Sequence, residues 1–293
     1  MARVAYLTGR SYRGAPLGPG VVPPLEEKSR DLMLVAGKKR GIEFEIVYWD
    51  EIDLPQRGFD LAVIRTTWDY TERADQFLAA LESHERAGLR VCNSSQVVRW
   101  NMRKTYLREL GPSAIETVWT DKPDAHVVAQ AFDALDAAEV VVKPQVGAGS
   151  IRTVRLKRNA WSEADLIEGP LGPAMIQPYL RAIETEGERS LFWFGGQYSH
   201  AVRKVPAEGN WLANVSGARF VAEAPPQAAI DAAEAARARA PKDLLYVRID
   251  LVLGDDGGWR VIEIEAIEPY LFFDFAPGGA DAFVGAIARV LGS

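Results

Sequence analysis

Cysteine is almost missing from this chain: Cys92 is the only one in 293 residues. A single thiol makes neither an internal disulfide nor a thiolate metal cluster, which fits a reducing compartment. Histidine is nearly as scarce. His84, His126 and His200 have no zinc-site spacing, and neither HExxH nor Gly-x-Ser-x-Gly occurs, so zinc hydrolysis and Ser-His-Asp catalysis have no footing. Long basic runs are absent as well, and Asp+Glu outnumber Lys+Arg by 40 to 34, a net charge of −6. A nucleic-acid binder needs the opposite balance. No apolar run approaches the roughly 20 residues that span a bilayer, and the opening MARVAYLTGR lacks the apolar region of a secretion signal. The expectation is a cytoplasmic protein with a small-molecule partner and no nucleic acid or membrane, the homodimer being left open.

What is present is ordinary globular material, 48% hydrophobic and 25% charged, in a length that holds one large domain or two to three small ones. The first hundred residues alternate short apolar runs (RVAYLT at 3–8, EFEIVYW at 43–49, DLAVI at 60–64, LRVCN at 89–93) with amphipathic stretches at 25–40 and 73–87. That alternation predicts βαβ units around a parallel sheet. Between the first strand and helix, GRSYRGAPLGPGVVPP at 9–24 is too rich in Gly and Pro for regular structure, and long loops are often functional. Residues 94–110 read as helical, with Ser94 or Ser95 as cap. A second α/β block follows, with strands at 115–119, 139–143, 152–158 and 174–179 and a helix from 124 to 137. A hairpin at 190–204 turns on Gly195 and Gly196, a helix covers 226–240, and two last strands within 244–266 join through an Asp-Gly turn. The expected divisions, near residues 94 and 180, give domains 1–93, 94–180 and 181–293.

Three stretches carry chemistry. VVVKPQVGAGSIRTVRL at 140–156 ends an apolar strand on Lys143 and continues with Gly147 and Gly149. Glycines expose backbone N–H groups to phosphate and the lysine adds charge. A flexible hairpin closing over phosphates and a plain glycine turn are both open, and the Gly-Lys-Ser/Thr of a Walker A loop is absent. RVIEIEAIEPYLFF at 260–273 crowds Glu263, Glu265 and Glu268 into an apolar run. Glu263 and Glu265, two apart, share a strand face, and pairing around the GDDGG turn brings Asp250 level with Glu263. Three carboxylates in one volume resist ionisation unless a cation neutralises them, and oxygen-only donors suit a Mg²⁺ that bridges to nucleotide phosphates. A glutamate-rich solvent face is the commoner alternative. Glu268 lies past the strand, before Pro269, and reads as a substrate contact. RTTWDY at 65–70 sits at a strand's C-terminal end, where α/β sheets bind ligands. Arg65 and Asp69 there suit a zwitterion, while core aromatics at Trp68 and Tyr70 with Asp69 as a helix cap explain it as well. His200, in SHAVRK, reads as packed or half-exposed, in reach of a substrate.

In sequence order, a lysine near 104, Lys143 with its glycine loop, QPYL at 177–180 with TEGE at 185–188, SHAVRK at 199–204 and EIEAIEP at 263–269 resemble the ATP-grasp superfamily in its glutathione synthetase-like branch. They are most similar to the D-cycloserine (O-ureido-D-serine) cyclo-ligase group, and the likeness covers nearly the whole chain. It implies an α/β (α+β) fold, with an N-terminal Rossmann-like pre-ATP-grasp domain followed by two α+β subdomains that clasp the nucleotide. Carried over by position, Lys104 and Lys143 hold the phosphates and Gly147, Ala148, Gly149 and Ser150 form the loop above them. Gln177, Pro178, Tyr179 and Leu180 offer backbone groups to adenine, and either Glu186 or Glu188 binds ribose. Arg203, Lys204 and Arg248 reach the transferred phosphoryl group, while Asp250, Glu263 and Glu265 hold Mg²⁺. Many relatives carry asparagine where Glu265 stands, so this site has one charge more. Arg65, Trp68, Asp69, Tyr70 and Glu268, with Arg10, Ser11 and Tyr12 of the first loop, are the implied substrate contacts.

The implied chemistry is activation of a carboxylate, or of a ureido carbonyl, by the γ-phosphate of ATP, followed by attack of an amine to form a C–N bond. The expected reaction is that of an ATP- and Mg²⁺-dependent ligase on a small amino-acid-like substrate, with cyclisation of O-ureido-D-serine to D-cycloserine, an antibiotic, as its sharpest form. The alternatives are a ligase of the same fold with another substrate, a small-molecule kinase that stops at phosphate transfer, and a nucleotide-binding protein without turnover.

Overall fold

The computed structural model describes residues 1–213 and 217–292. The first block opens with β1 (Ala2–Thr8), a short hairpin of β2 (Ser11–Tyr12) and β3 (Ala15–Pro16), helix α1 (Glu27–Lys39), β4 (Ile42–Tyr48), β5 (Leu61–Thr66), α2 (Ala74–Arg86) and β6 (Val91–Cys92). Its main sheet is parallel, in the order β4-β1-β5-β6. Side chains alternate across a strand. On one face Val4, Tyr6 and Val63 pack with Met33 and Ala36 of α1, and on the other Ala5, Leu7, Ala62 and Ile64 pack with Phe77 and Leu81 of α2. Both faces are therefore apolar, as a parallel sheet requires.

Helix α3 (Ser95–Asn101) follows, its N-terminus capped by Ser94, which accepts from the Val97 amide at 3.5 Å. The second sheet is antiparallel, in the order β7 (Val118–Thr120), β10 (Ala174–Pro178), β8 (Glu139–Pro144), β9 (Val154–Lys157). Helix α4 (Ala125–Ala134) covers it through Val128, Ala131 and Phe132.

After the one-turn α5 (Ala182–Thr185), the third sheet takes the order β13 (Arg219–Ala222), β12 (Gln197–Val205), β11 (Glu188–Phe194), β14 (Tyr246–Leu253), β15 (Trp259–Glu265), antiparallel throughout. Helix α6 (Gln227–Arg237) packs Ala229, Ala233 and Ala236 on one face. Helix α7 (Gly279–Leu291) packs Phe283, Val284 and Ile287 against Phe192 and Phe194 on the other. The α7 segment also touches the first block, which fuses the outer sheets into one core. This last helix was not anticipated; in its run AFVGAI, Phe283, Val284, Ala286 and Ile287 are buried between the first block and the third sheet, while Ala282 stays exposed. The strands expected at 115–119 and 152–158 are shorter than their apolar patterns. No helix among the described residues is long and apolar enough to cross a membrane.

Two glycines are set by close approach. A Cβ on Gly9 would lie 2.2 Å from an Asp69 oxygen, and one on Gly187, whose φ is +71°, would lie 2.4 Å from the Lys204 carbonyl. The first lets the 9–24 loop leave β1 over Asp69, and the second lets β11 begin flush against β12.

Candidate active site

Two cavities meet at the glycine loop that follows β8. The first lies between the second and third sheets and is walled by Lys104, Lys143, Gly147, Ala148, Gly149, Ser150, Gln177, Pro178, Tyr179, Leu180, Glu188, Glu263 and Glu265. The second lies between the first block and the third sheet, walled by Ser11, Tyr12, Trp68, Asp69, Arg248, Glu268 and Tyr270. Ala148, Gly149, Ile151 and Glu265 belong to both. A ligand in either cavity thus shares one loop and one carboxylate with a ligand in the other.

Strand register brings the charges together. Glu188 faces Lys204 across β11–β12, Ser190 faces Asp250 across β11–β14, and Asp250 faces Glu263 while Arg248 faces Glu265 across β14–β15. Lys204, fully buried, pairs with Glu188 and with Asp250, the latter at 3.0 Å. Asp250 also accepts from Ser190 Oγ at 2.7 Å and from Arg248 Nε and Nη2 at 2.9 Å each. Arg248 reaches on to Glu265. Lys104, just past α3, pairs with Glu263 at 2.8 Å and donates to the Gly147 carbonyl at 2.7 Å.

Burial sets the acidities. Burial pushes Glu265 well up, against the pull of Arg248 and with the push of Glu263. It raises Glu188 in the same way despite Lys204, and takes Glu268 to about 7. Burial would raise Asp250 too, but Arg248 and Lys204 together outweigh it and hold this carboxyl below the usual range. Burial lowers Lys143 to about 8, with Glu263 only partly opposing. For Lys104, Glu263 outweighs burial and the ammonium is held above its ordinary value.

Several expected residues stand elsewhere. Arg203 pairs with Glu223 at 3.0 Å and Glu186 with Arg189 at 3.4 Å, and neither lines either cavity. Lys204 and Asp250 are sealed behind the cavity walls by each other. Arg65 is buried and donates to the Pro269 carbonyl at 2.9 Å, and Tyr70 packs on Phe77 in the core of the first block. Asp69 touches the second cavity, yet its two oxygens are occupied by the Arg10 amide (2.8 Å) and the Trp49 indole (2.9 Å). The Arg10 side chain turns to Asp50, 2.7 Å away. His200 stacks on Phe192, and burial lowers it to about 4. Conversely, Trp211 and Leu212 in the first cavity and Arg13, Phe220 and Phe272 in the second were missed. Trp211 lies in an irregular loop without periodicity, so only its being a large aromatic outside any strand marked it.

The metal donors need a correction. Among the described residues, no three His, Cys, Asp or Glu side chains form a group able to hold a metal ion. The strand register does align Asp250 with Glu263, but Ser190, Arg248 and Lys204 already satisfy Asp250. Of the three expected donors, only Glu263 and Glu265 face the first cavity. Two carboxylates, one of them reluctant to ionise, fit a Mg²⁺ that takes its other ligands from phosphates and water.

A parallel N-terminal sheet followed by two antiparallel α+β units, with a lysine-lined cavity between them under a glycine loop, defines an ATP-grasp ligase. Comparison with known proteins agrees. Residues 4–93 match the family described as D-cycloserine synthetase DcsG, N-terminal domain. The chain is 30% identical over 288 residues to the cycloserine biosynthesis protein DcsG of Streptomyces lavendulae, covering 92% of this chain and 93% of that one. The crystal structure of D-cycloserine synthetase DcsG superposes with a TM-score of 0.82 at 26% identity, covering 99% and 100% of the two chains. The ATP-grasp ligase PsnB, solved with a phosphomimetic variant of its minimal precursor, Mg and ADP, shares the fold at a TM-score of 0.64 and 17% identity over 98% of each chain. The chain belongs to the DcsG family of ATP-grasp enzymes and is an ATP-dependent carbon–nitrogen ligase.

Proposed function

We propose that the first cavity binds ATP with Mg²⁺, that the second binds a small amino acid derivative, and that the reaction is the cyclisation of O-ureido-D-serine to D-cycloserine. The observation that carries this is the junction of the two cavities at Ala148, Gly149, Ile151 and Glu265. Similarity to DcsG along nearly the whole chain supports the choice of substrate.

In this reading the backbone of Gln177 to Leu180 and the wall of Trp211 hold adenine, Glu188 faces ribose, and Lys104 and Lys143 hold the phosphates. Glu263 and Glu265 hold Mg²⁺, which when bound supplies neutralisation of phosphate charge. A substrate carboxylate oxygen attacks the γ-phosphorus, the bond to ADP breaks, and an acyl phosphate forms. The ureido nitrogen bonded to oxygen then attacks that carbon, inorganic phosphate leaves, and water removes the carbamoyl group from that nitrogen as carbon dioxide and ammonia. Arg248, fixed by the Asp250 fork at the mouth of the second cavity, stabilises the transferred group's negative charge. Lys204 and Asp250 act from behind by holding Arg248 in place, and Ile151 with the glycine loop keeps water from the intermediate.

The experiment is ADP release measured with O-ureido-D-serine and a panel of D- and L-amino acids, with mass analysis of the product. Stimulation by O-ureido-D-serine with a ring-closed product is expected. A stable phosphorylated product establishes a kinase instead, and stimulation only by another substrate class sinks the assignment.

A further inference from the structure

From Ala266 to Leu271 the chain runs buried and without regular structure between β15 and the turn at Phe272. Buried carbonyls need donors. With neither helix nor sheet at hand, each one here takes a side chain. Asn93 Nδ2 donates to Ala266 O at 2.7 Å, Trp68 Nε1 to Glu268 O at 3.0 Å and Arg65 Nη2 to Pro269 O at 2.9 Å. Arg248 Nη1 donates to Tyr270 O at 3.3 Å and His200 Nε2 to Leu271 O at 3.1 Å. The Tyr246 hydroxyl stands 2.7 Å from Ile267 O and 2.6 Å from Ile64 O, one proton serving both. Six consecutive carbonyls are thus held, by residues of the first block and of the third sheet together. Releasing any one strands a buried acceptor.

This stiff segment carries Glu268. The residue is 6% exposed and walls the second cavity, and among the described residues no salt bridge is made to its carboxylate, Lys104 and Arg248 acting on it only through their charge. Aromatic faces of Tyr12, Trp68, Tyr270 and Phe272 share that cavity. A buried carboxylate without an ion-pair partner, on a rigid support and among aromatic rings, is complementary to an ammonium group. We propose that Glu268 selects substrates bearing a free ammonium group, and that Arg65, Trp68 and Asn93 are positioning residues that hold it there. The proposal rests on the reading of the second cavity as the substrate site. An ammonium ion paired in this way has no lone pair, so it stays a spectator while another nitrogen forms the C–N bond.

The test compares O-ureido-D-serine with its des-amino counterpart, 3-(ureidooxy)propanoate, and D-serine with 3-hydroxypropanoate, by ADP release. The enzymes are the unaltered protein, Glu268→Gln and Trp68→Phe, the last keeping the aromatic face without the indole N–H. The unaltered protein should favour the amine of a pair at least tenfold in kcat/KM. Glu268→Gln should erase that preference with unchanged ATP affinity, and Trp68→Phe should raise KM for the amine by a smaller factor with kcat unchanged, a split that general misfolding does not produce. A preference that survives Glu268→Gln, or that is absent from both pairs in the unaltered protein, overturns the proposal. Product analysis separates the two readings: amine-dependent ADP release lost in Glu268→Gln, with a product that is not cyclic, supports this role for Glu268 while rejecting cyclisation.

Discussion

Lys104 Nζ and Glu263 Oε1 stand 2.8 Å apart, so the lysine proposed to hold phosphate and the glutamate proposed to hold Mg²⁺ are themselves an ion pair. In the proposed function Mg²⁺-ATP gives the lysine an anion and the carboxylate a cation in exchange for this ion pair. Glu263→Gln should reduce ADP release on the order of 100-fold or more, while metal-free ATP binding, measured by calorimetry, stays level or tightens because Lys104 is freed.

The acidity of Lys143 predicts a pH dependence. Burial lowers this ammonium to about 8, so in the free protein it is charged below that pH and loses its charge above it. Bound phosphate favours the charged form, so ATP affinity should fall as pH rises from 7 to 9, by up to about tenfold per unit above the transition. Binding above pH 8 should take up a proton, seen as a dependence of calorimetric heat on buffer ionisation. Lys143→Met should bind more weakly and lose this slope.

Lys204 lies at the centre of a sealed network, with no exposure and with Glu188 and Asp250 as partners. Removing one member of a buried ion network leaves uncompensated charge. Lys204→Met should cost about 3–5 kcal/mol in urea unfolding, an effect on stability that a residue touching only the transferred phosphate would not show.

A second buried pair links the loop after β3 to β5: Glu26 Oε1 and Arg65 Nη2 are 3.6 Å apart, at 1% and 2% exposure. Burial raises Glu26 to about 7 from its ordinary 4.5, with Arg65 opposing. The folded protein then holds a proton that the unfolded chain releases, so this group's stabilising contribution is complete below about 4.5 and is lost as pH rises through about 7. Glu26→Gln should flatten the stability profile over that window relative to the unaltered protein, measured by urea midpoints at successive pH values.

The sequence made the wall of the first cavity readable because local patterns encode it. A lysine ending an apolar strand before two glycines, and glutamates two apart on the next-to-last stretch, fix Lys143, the loop, Glu263 and Glu265 without knowledge of distant contacts. The substrate side was less legible. RTTWDY looks like a binding motif, yet only Trp68 and Asp69 reach the cavity, because Arg65 and Tyr70 point the other way into contacts more than a hundred residues distant or into the core. Asp250 illustrates the same limit. Register with Glu263 follows from the turn, but its capture by Ser190 and Lys204 depends on strand order within the sheet, which pairs β14 with β11. Helix α7 lay outside the expected elements because its burial comes from two blocks that meet only in the folded chain.

The most direct test of acyl-phosphate formation uses O-ureido-D-serine carrying oxygen-18 in both its carboxylate and its ureido carbonyl. With Mg²⁺-ATP and the unaltered protein, one labelled oxygen should appear in inorganic phosphate for each ADP formed, together with a ring-closed product. Unlabelled phosphate at full ADP release, or label retained in a stable phosphorylated substrate, would contradict the account.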